Sequence, residues 1–342
     1  MLFNKTEISK LSYDQKKIAI TFQKLLLKIN INETDDLIDK EIKKSYIKGY
    51  LRNSQNCRDI LKKVTSFIIN NNIFDNKFIY ITKPYPMIHM SNDELESGGF
   101  HNDQVGTDQM FTCWIPITNY NYPALSISLI KNKYLNFFNK FLKKLNLLTF
   151  FSKKLFTDYG SAYFWDAKMF HNGNKNITNN ISCAIQVKIT SKPYLLEQSF
   201  NFKDNIENYK VIDEEEMMSG YDIYSRFLAL IQNNQINCLD DVDNFYNINK
   251  FKKNEQISFA LSVLSQRLNF ALSKNIQIKF SKNQIFLIDY MSALVGADNL
   301  ISLKRLFFLF SKQKDDKDYI KFNNFLNNLQ LSSDKIDYIK NL

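Results

Sequence analysis

Apolar residues recur at two different periods along this chain, and the change of period divides it. In 12–29 the positions Ile18, Ile20, Phe22, Leu25, Leu26 and Ile29 recur at helical spacing with lysines between them, and 36–51 and 54–70 carry similar stripes. Three amphipathic helices are expected there, each laying one face on a sheet. Strand-like runs take over from about residue 78. Segment 78–84 is a β-rich run stopped by prolines, 110–118 is a second, and 160–166 is a third with an Asn172-Gly173 turn signal soon after it. Segment 182–189 reads as the last strand. Between these, 132–156 returns to helical spacing, with Leu135, Phe138, Phe141, Leu142, Leu145 and Leu148 set among lysines. This insertion is either a lid over a substrate or a basic helix covering the outside of the sheet. Past Pro193 helices resume. The acidic run Asp213 to Glu216 opens a helix through Asn233, as a helix dipole favours, and 252–273, 298–311 and 321–331 follow. Segment 276–289 suggests two short strands around Ser281-Lys282-Asn283. The expected organisation is a helical region 1–75 packing on a core, a β-rich core 76–192 with the insertion at 132–156, and a mostly α region 193–342.

Composition narrows the class. A chain of 342 residues with 44% hydrophobic and 14% aromatic residues can bury a sizeable core and is not disordered. The net charge of +10 fits either an acidic partner or a lysine-rich solvated surface. No compact Lys/Arg patch with interleaved aromatics stands out, so no nucleic-acid interface is evident. Cys57, Cys113, Cys183 and Cys238 are widely spaced and form no C-x-x-C, which points to buried free thiols. The first 22 residues contain no apolar h-region and no run approaches the length of a bilayer span, so a cytoplasmic location is the expectation. A Gly-rich phosphate loop, a nucleophile elbow, an internal repeat and a DNA-binding helix pair are all missing from the sequence.

Candidate chemistry concentrates in Gly98-Gly99-Phe100-His101-Asn102-Asp103 and in His171. The chain has three histidines, and two of them belong to this arrangement. On a strand, His101 and Asp103 point to one face. A second imidazole from His171 would complete two histidines and one carboxylate on one side of a metal, the facial triad of non-haem Fe(II) oxygenases, with the opposite side open. The simpler reading is a polar loop with a core histidine. The third histidine, His89, lies in the Pro-rich approach Pro86-Met87-Ile88-His89 and is expected to be a loop residue bonded to backbone.

These residues carry a family resemblance. H-x-D ahead of Thr112-Cys113-Trp114-Ile115-Pro116-Ile117, and Phe170-His171-Asn172-Gly173 followed by Asn176 and Thr178, resemble the phytanoyl-CoA dioxygenase-like branch of the Fe(II)/2-oxoglutarate-dependent oxygenases. The resemblance covers about 78–189. It implies an α+β protein with a double-stranded β-helix core of jelly-roll or cupin-like type, and Fe(II) on His101, Asp103 and His171. It also implies 2-oxoglutarate and O₂ as cosubstrates, and hydroxylation of a small molecule with release of succinate and CO₂; the basic charge balance leaves room for an anionic substrate. The intact Asp103 argues against a halogenase. One departure bears on the cosubstrate. The family's carboxylate-gripping Arg, about ten to thirteen residues past the distal His, falls here on Ile181-Ser182-Cys183-Ala184, and no Arg lies between Arg58 and Arg226. Lys188, which shares a strand face with Ser182, Ala184 and Gln186, is the nearest substitute, and Lys83 and Lys168 are others, with Ser182 as a hydrogen-bond donor. A lysine supplies charge without the planar fork. Two further readings stay open: a non-catalytic β-helix binding protein with a vestigial metal site, and an Fe(II) oxygenase that does not use 2-oxoglutarate.

Overall fold

The computed structural model describes residues 3–8, 11–31, 35–75, 77–91, 99–103, 109–128, 141–142, 144, 147–158, 160–202, 206–249, 254–296, 299–310 and 317–341. The chain forms two compact units, Met1–Leu25 with Leu51–Val211, and Leu26–Tyr50 with Ile212–Leu342. The architecture is mixed α and β, and all paired strands of both sheets run antiparallel.

The first unit holds the sheets. Its longest strand, β9 (Ser182–Thr190), alternates Ser182, Ala184, Gln186 and Lys188 on one face with Cys183, Ile185, Val187 and Ile189 on the other. On one side β9 pairs along seven residues with β4 (Met110–Pro116). On its other side it pairs at one end with β3 (Tyr85–His89) and at the other with β2 (Tyr80–Thr82). Beyond β4 come β7 (Ser161–Asp166) and then β1 (Phe3–Glu7), while β10 (Ser199–Asn201) borders β2. A second sheet joins β5 (Leu125–Ser128) to β6 (Ser152–Leu155) and β8 (His171–Gly173). Residues of both sheets share one buried cluster that includes Trp114, Tyr163, Trp165 and Ala184 from the large sheet and Leu125, Ile127 and Leu155 from the small one.

Helices α1 (Leu11–Lys28) and α3 (Gln55–Asn70) form where the sequence pattern places them. Ser54 caps α3 by accepting from the Cys57 N–H, and Cys57, Ile60, Leu61, Val64 and Ile68 make the buried stripe. Buried Gln15 ties α1 to the sheet: its amide donates to the Pro116 carbonyl at 2.7 Å, and its oxygen accepts from the Gly160 N–H at 2.7 Å.

The second unit is helical in its described residues: α2 (Leu37–Arg52, in this unit through Tyr50), α4 (Glu214–Gln232), α5 (Leu239–Ile248), α6 (Glu255–Ser273), α7 (Lys282–Val295), α8 (Leu300–Phe310), α9 (Lys317–Asn328) and α10 (Ser333–Lys340). The Tyr224 hydroxyl donates to the Ile42 carbonyl at 3.0 Å, the Tyr46 hydroxyl donates to the Met217 carbonyl, and Gly49 lets α2 approach the backbone of Gln256. A polar network of Asp289, Arg305, Ser302 and Ser292 lies among α7 and α8.

The structure departs from the sequence reading at several elements. Segment 276–289 does not form two strands, and α7 begins at Lys282. Ser281 and Gln284 form a capping box, and the apolar run Ile285-Phe286-Leu287-Ile288 is buried all round, where periodicity cannot tell helix from strand. Most of the expected helix at 132–156 lies outside the described residues. Its end is a 3₁₀ turn (Leu148–Phe151) followed by β6, because Ser152–Leu155 finds backbone partners on β5. His89 sits on a strand and not in a loop. Pro84 follows the end of β2 as its position suggests, and Pro86 is tolerated inside β3, opposite Ile185, because among the described residues that strand pairs with β9 alone. The cysteines are free, with Cys57, Cys113 and Cys183 buried. Among the described residues no helix is long and apolar enough to cross a membrane.

Candidate metal centre

Backbone pairing brings His101 to His171. The two residues exchange N–H to carbonyl bonds of 2.9 and 2.8 Å, and the Asp103 N–H donates to the Ala167 carbonyl at 3.0 Å. The imidazole rings lie 4.5 Å apart, and Trp165 packs on His171 with its centroid at 5.1 Å. His101 is about half exposed, Asp103 is partly buried and His171 is buried. Gly98 of the Gly98-Gly99 pair lies outside the described residues, and Gly99 adopts φ 70°, a conformation open to glycine.

Second contacts set the ring tautomers. His101 Nδ1 lies 2.9 Å from the Gly99 carbonyl and His171 Nδ1 lies 3.1 Å from the Met169 carbonyl. A carbonyl only accepts, so each Nδ1 carries the proton and each Nε2 presents a lone pair. Both Nε2 atoms face Asp103, His101 at 3.7 Å from Oδ1 and His171 at 3.4 Å from Oδ2. The two carboxylate oxygens differ in their neighbours. Oδ2 accepts from the Thr112 hydroxyl at 2.9 Å, from the Gln186 amide at 3.1 Å and from the Lys188 ammonium, which also donates to Thr112 Oγ1 at 3.0 Å. Among the described residues no hydrogen-bond donor reaches Oδ1.

This donor set passes the test for a metal ion. Three ligand atoms, one from each residue, lie within 4.8 Å of one another. The 3.7 Å between His101 Nε2 and Oδ1 is what ligands about 2.0–2.2 Å from one ion span when they are not opposite each other, whereas the 3.4 Å contact of His171 Nε2 runs to Oδ2. The three residues could hold a metal ion, with Thr112 and Gln186 steadying the carboxylate. Electrostatics point the same way. Burial pushes the Asp103 carboxyl up, but the Lys188 ammonium, followed by His171 and His101, outweighs it and holds the group well below the usual carboxylate range. Burial pushes the His171 imidazole down to about 4, although Asp103 works against this, so the ring is neutral and ready to ligate at pH 7.

The residues expected to meet 2-oxoglutarate are scattered. Lys188 reaches the centre but bonds to Asp103 itself. Lys83 is buried with its ammonium 4.9 Å from the Tyr209 ring centroid, and Lys168 is exposed in the turn before His171. Ser182 lies at the far end of β9, opposite His89, and Ala184 belongs to the aromatic cluster. The indole N–H groups of Trp114 and Trp165 are buried with no acceptor among the described residues. Sequence reading did not single out Thr112 and Gln186 as partners of Asp103. The signal was available for Gln186, which shares its strand face with Lys188. The Asn residues after His171 brace the turn: Asn174 donates to the Pro123 carbonyl at 2.7 Å, and Asn176 donates to the His89 carbonyl at 3.0 Å.

No family model and no curated protein matches the chain. Among solved structures, a non-haem α-ketoglutarate-dependent carbocyclase, SnoK from nogalamycin biosynthesis, aligns at 11% identity and TM-score 0.36, covering 54% of this chain and 79% of its own. AviO1 from Streptomyces viridochromogenes aligns at 9% identity and TM-score 0.35, covering 55% and 89%. The non-haem monooxygenase ThoJ in complex with nickel aligns at 10% identity and TM-score 0.37, covering 62% and 84%. Likeness at this level leaves the chemistry to be read from this chain's own side chains.

Proposed function

We propose that this chain is a mononuclear Fe(II) dioxygenase that consumes a 2-oxo acid, 2-oxoglutarate by the family resemblance, and hydroxylates a small molecule. His101 Nε2, His171 Nε2 and Asp103 Oδ1 would hold the iron. The observation that carries the reading is the division of labour at these residues: each Nδ1 and the second carboxylate oxygen are tied to other groups, which leaves three lone-pair donors converging. Iron held there with a 2-oxo acid would supply O₂ activation, one oxygen atom going to the substrate and the other to the one-carbon-shorter acid (succinate from 2-oxoglutarate) left as CO₂ departs. The chain's own part is to orient and to exclude water. Trp165 shields one side of His171, while Thr112 and Gln186 keep the Asp103 carboxylate from rotating. In this reading 76–192 is the oxygenase core, of double-stranded β-helix type, between a helical 1–75, which also supplies the edge strand β1, and a mostly α 193–342. The two facing antiparallel sheets support it.

A second reading, a binding protein with a vestigial site, draws on Lys188, whose ammonium already neutralises Asp103 without a metal. Titration tests the metal site that both readings share. Calorimetry under anaerobic conditions is expected to give stoichiometric Fe(II) binding, lost in His101→Ala, Asp103→Ala and His171→Ala variants that keep the wild-type circular dichroism. Full iron occupancy in the His171→Ala variant would remove the triad from the account. Succinate release from 2-oxoglutarate in the iron-loaded wild type distinguishes an enzyme from a vestigial site.

A further inference from the structure

Lys188 stands in an unusual place for a cosubstrate anchor. Its side chain is 12% exposed, and it bonds to the oxygen of Asp103 that the metal reading leaves to other partners. A divalent ion on Oδ1 and the two imidazoles would put positive charge beside an ammonium that has already neutralised the carboxylate. A partly buried cluster of that kind carries excess positive charge and calls for an anion next to the metal. The carboxylate of a chelating 2-oxo acid would supply that charge.

The far end of such a ligand meets different surroundings. Along the inner face of β9, Lys188 is followed by Gln186, then by Ala184 packed among Trp114, Tyr120 and Tyr122. Lys83 is turned to Tyr209 and Lys168 is exposed; of the basic residues whose register puts them on that face, Lys5 on the edge strand β1 is exposed and bonded to Asp158, and His89 lies opposite Ser182 at the far end of β9. The indole N–H groups of Trp114 and Trp165 offer neutral hydrogen bonds but no counter-charge. Burying a second carboxylate among such groups is costly, whereas an apolar tail fits them.

We propose that Lys188 recognises the metal-bound 2-oxo carboxylate and that the distal group goes unread, so 2-oxo acids with an apolar tail serve this centre as well as 2-oxoglutarate does. The inference rests on the metal centre proposed above. It is tested on the full chain loaded with Zn(II), which binds without turnover, by calorimetry with 2-oxoglutarate and with 4-methyl-2-oxopentanoate, two acids with the same head and different tails. The expected result is a preference for 2-oxoglutarate of less than about tenfold, or the reverse preference, and a loss of at least about tenfold for both acids in Lys188→Met. The same variant is expected to bind Zn(II) itself more tightly, because the repelling ammonium is gone, a change that a purely structural lysine would not produce. Lys188→Gln, judged by the same thresholds, replaces Lys188→Met if that variant fails to fold. A preference for 2-oxoglutarate of about tenfold or more, or a smaller loss in the variant, overturns the proposal. Zn(II) binding with no uptake of either acid also overturns it but leaves the metal centre standing. Failure to bind Zn(II) at all would remove the metal centre and the proposal together.

Discussion

Asp103 and His171 place opposite demands on their surroundings, and each is met by named neighbours. Burial works to raise the carboxyl, and the Lys188 ammonium is the largest of the effects that hold it down. Burial alone also keeps the imidazole neutral, with its group pushed down to about 4. The unfolded imidazole titrates near 6.5, so the unfolded chain takes up this proton first as pH falls. The contribution of His171 to stability is therefore complete above about pH 6.5 and is lost as pH falls through about 4. Asp103, held below the ordinary carboxylate range, loses its contribution only at still lower pH. Urea unfolding of the metal-free protein is expected to show stability declining from pH 6.5 toward pH 4, with a shallower decline in His171→Leu. An unchanged slope in the variant would mean that the imidazole is not held neutral by burial. The types and spacing of His101, Asp103 and His171 were legible in the sequence. The assignment of the two carboxylate oxygens to different partners was not, because Thr112, Gln186 and Lys188 reach Asp103 only through strand register.

At the scale of elements, helices were legible where a stripe and a cap coincide, as in α3 with Ser54 ahead of it. Strands were legible where the run was long, as in β4 and β9. Short strands such as β8 and β10, three residues each, carry too few positions for a period to be seen. Gln15 shows how one side chain joins two elements. Replacing it with Leu strands the Pro116 carbonyl and the Gly160 N–H, and each buried group left unpaired costs about 1–3 kcal/mol. Gln15→Leu is expected to lower the urea midpoint accordingly, with the metal stoichiometry retained. A midpoint equal to wild type would show that solvent satisfies both groups.

At the scale of the molecule, the units do not follow the order of the chain. Residues 26–50 belong with 212–342, and Tyr46, Ile47 and Ile38 are buried there. A chain cut after Val211 removes the Met217 carbonyl that Tyr46 donates to and the Tyr224 hydroxyl that bonds to Ile42. It also exposes the apolar side of α2, and exposed patches of that kind drive association. The shortened chain is expected to elute as aggregate or to melt well below the full chain. A monomer melting at the wild-type temperature would show that α2 needs no partner from beyond Val211.

The sequence by itself determined what depends on neighbours a few positions away: the helical and strand periods, the Ser54 cap, and the H-x-D spacing that brings His101 and Asp103 together. Even the capping box before α7 was written there as Ser281 and Gln284, although the apolar run behind it hid the helix. Only the tertiary structure decided which side chains share space across long separations. Lys188 meets Asp103 across 85 positions, and Tyr46 meets Met217 across 171. Such pairings depend on sheet register and on the packing of whole faces, and a local pattern of apolar and polar residues specifies a face without naming the face it will meet.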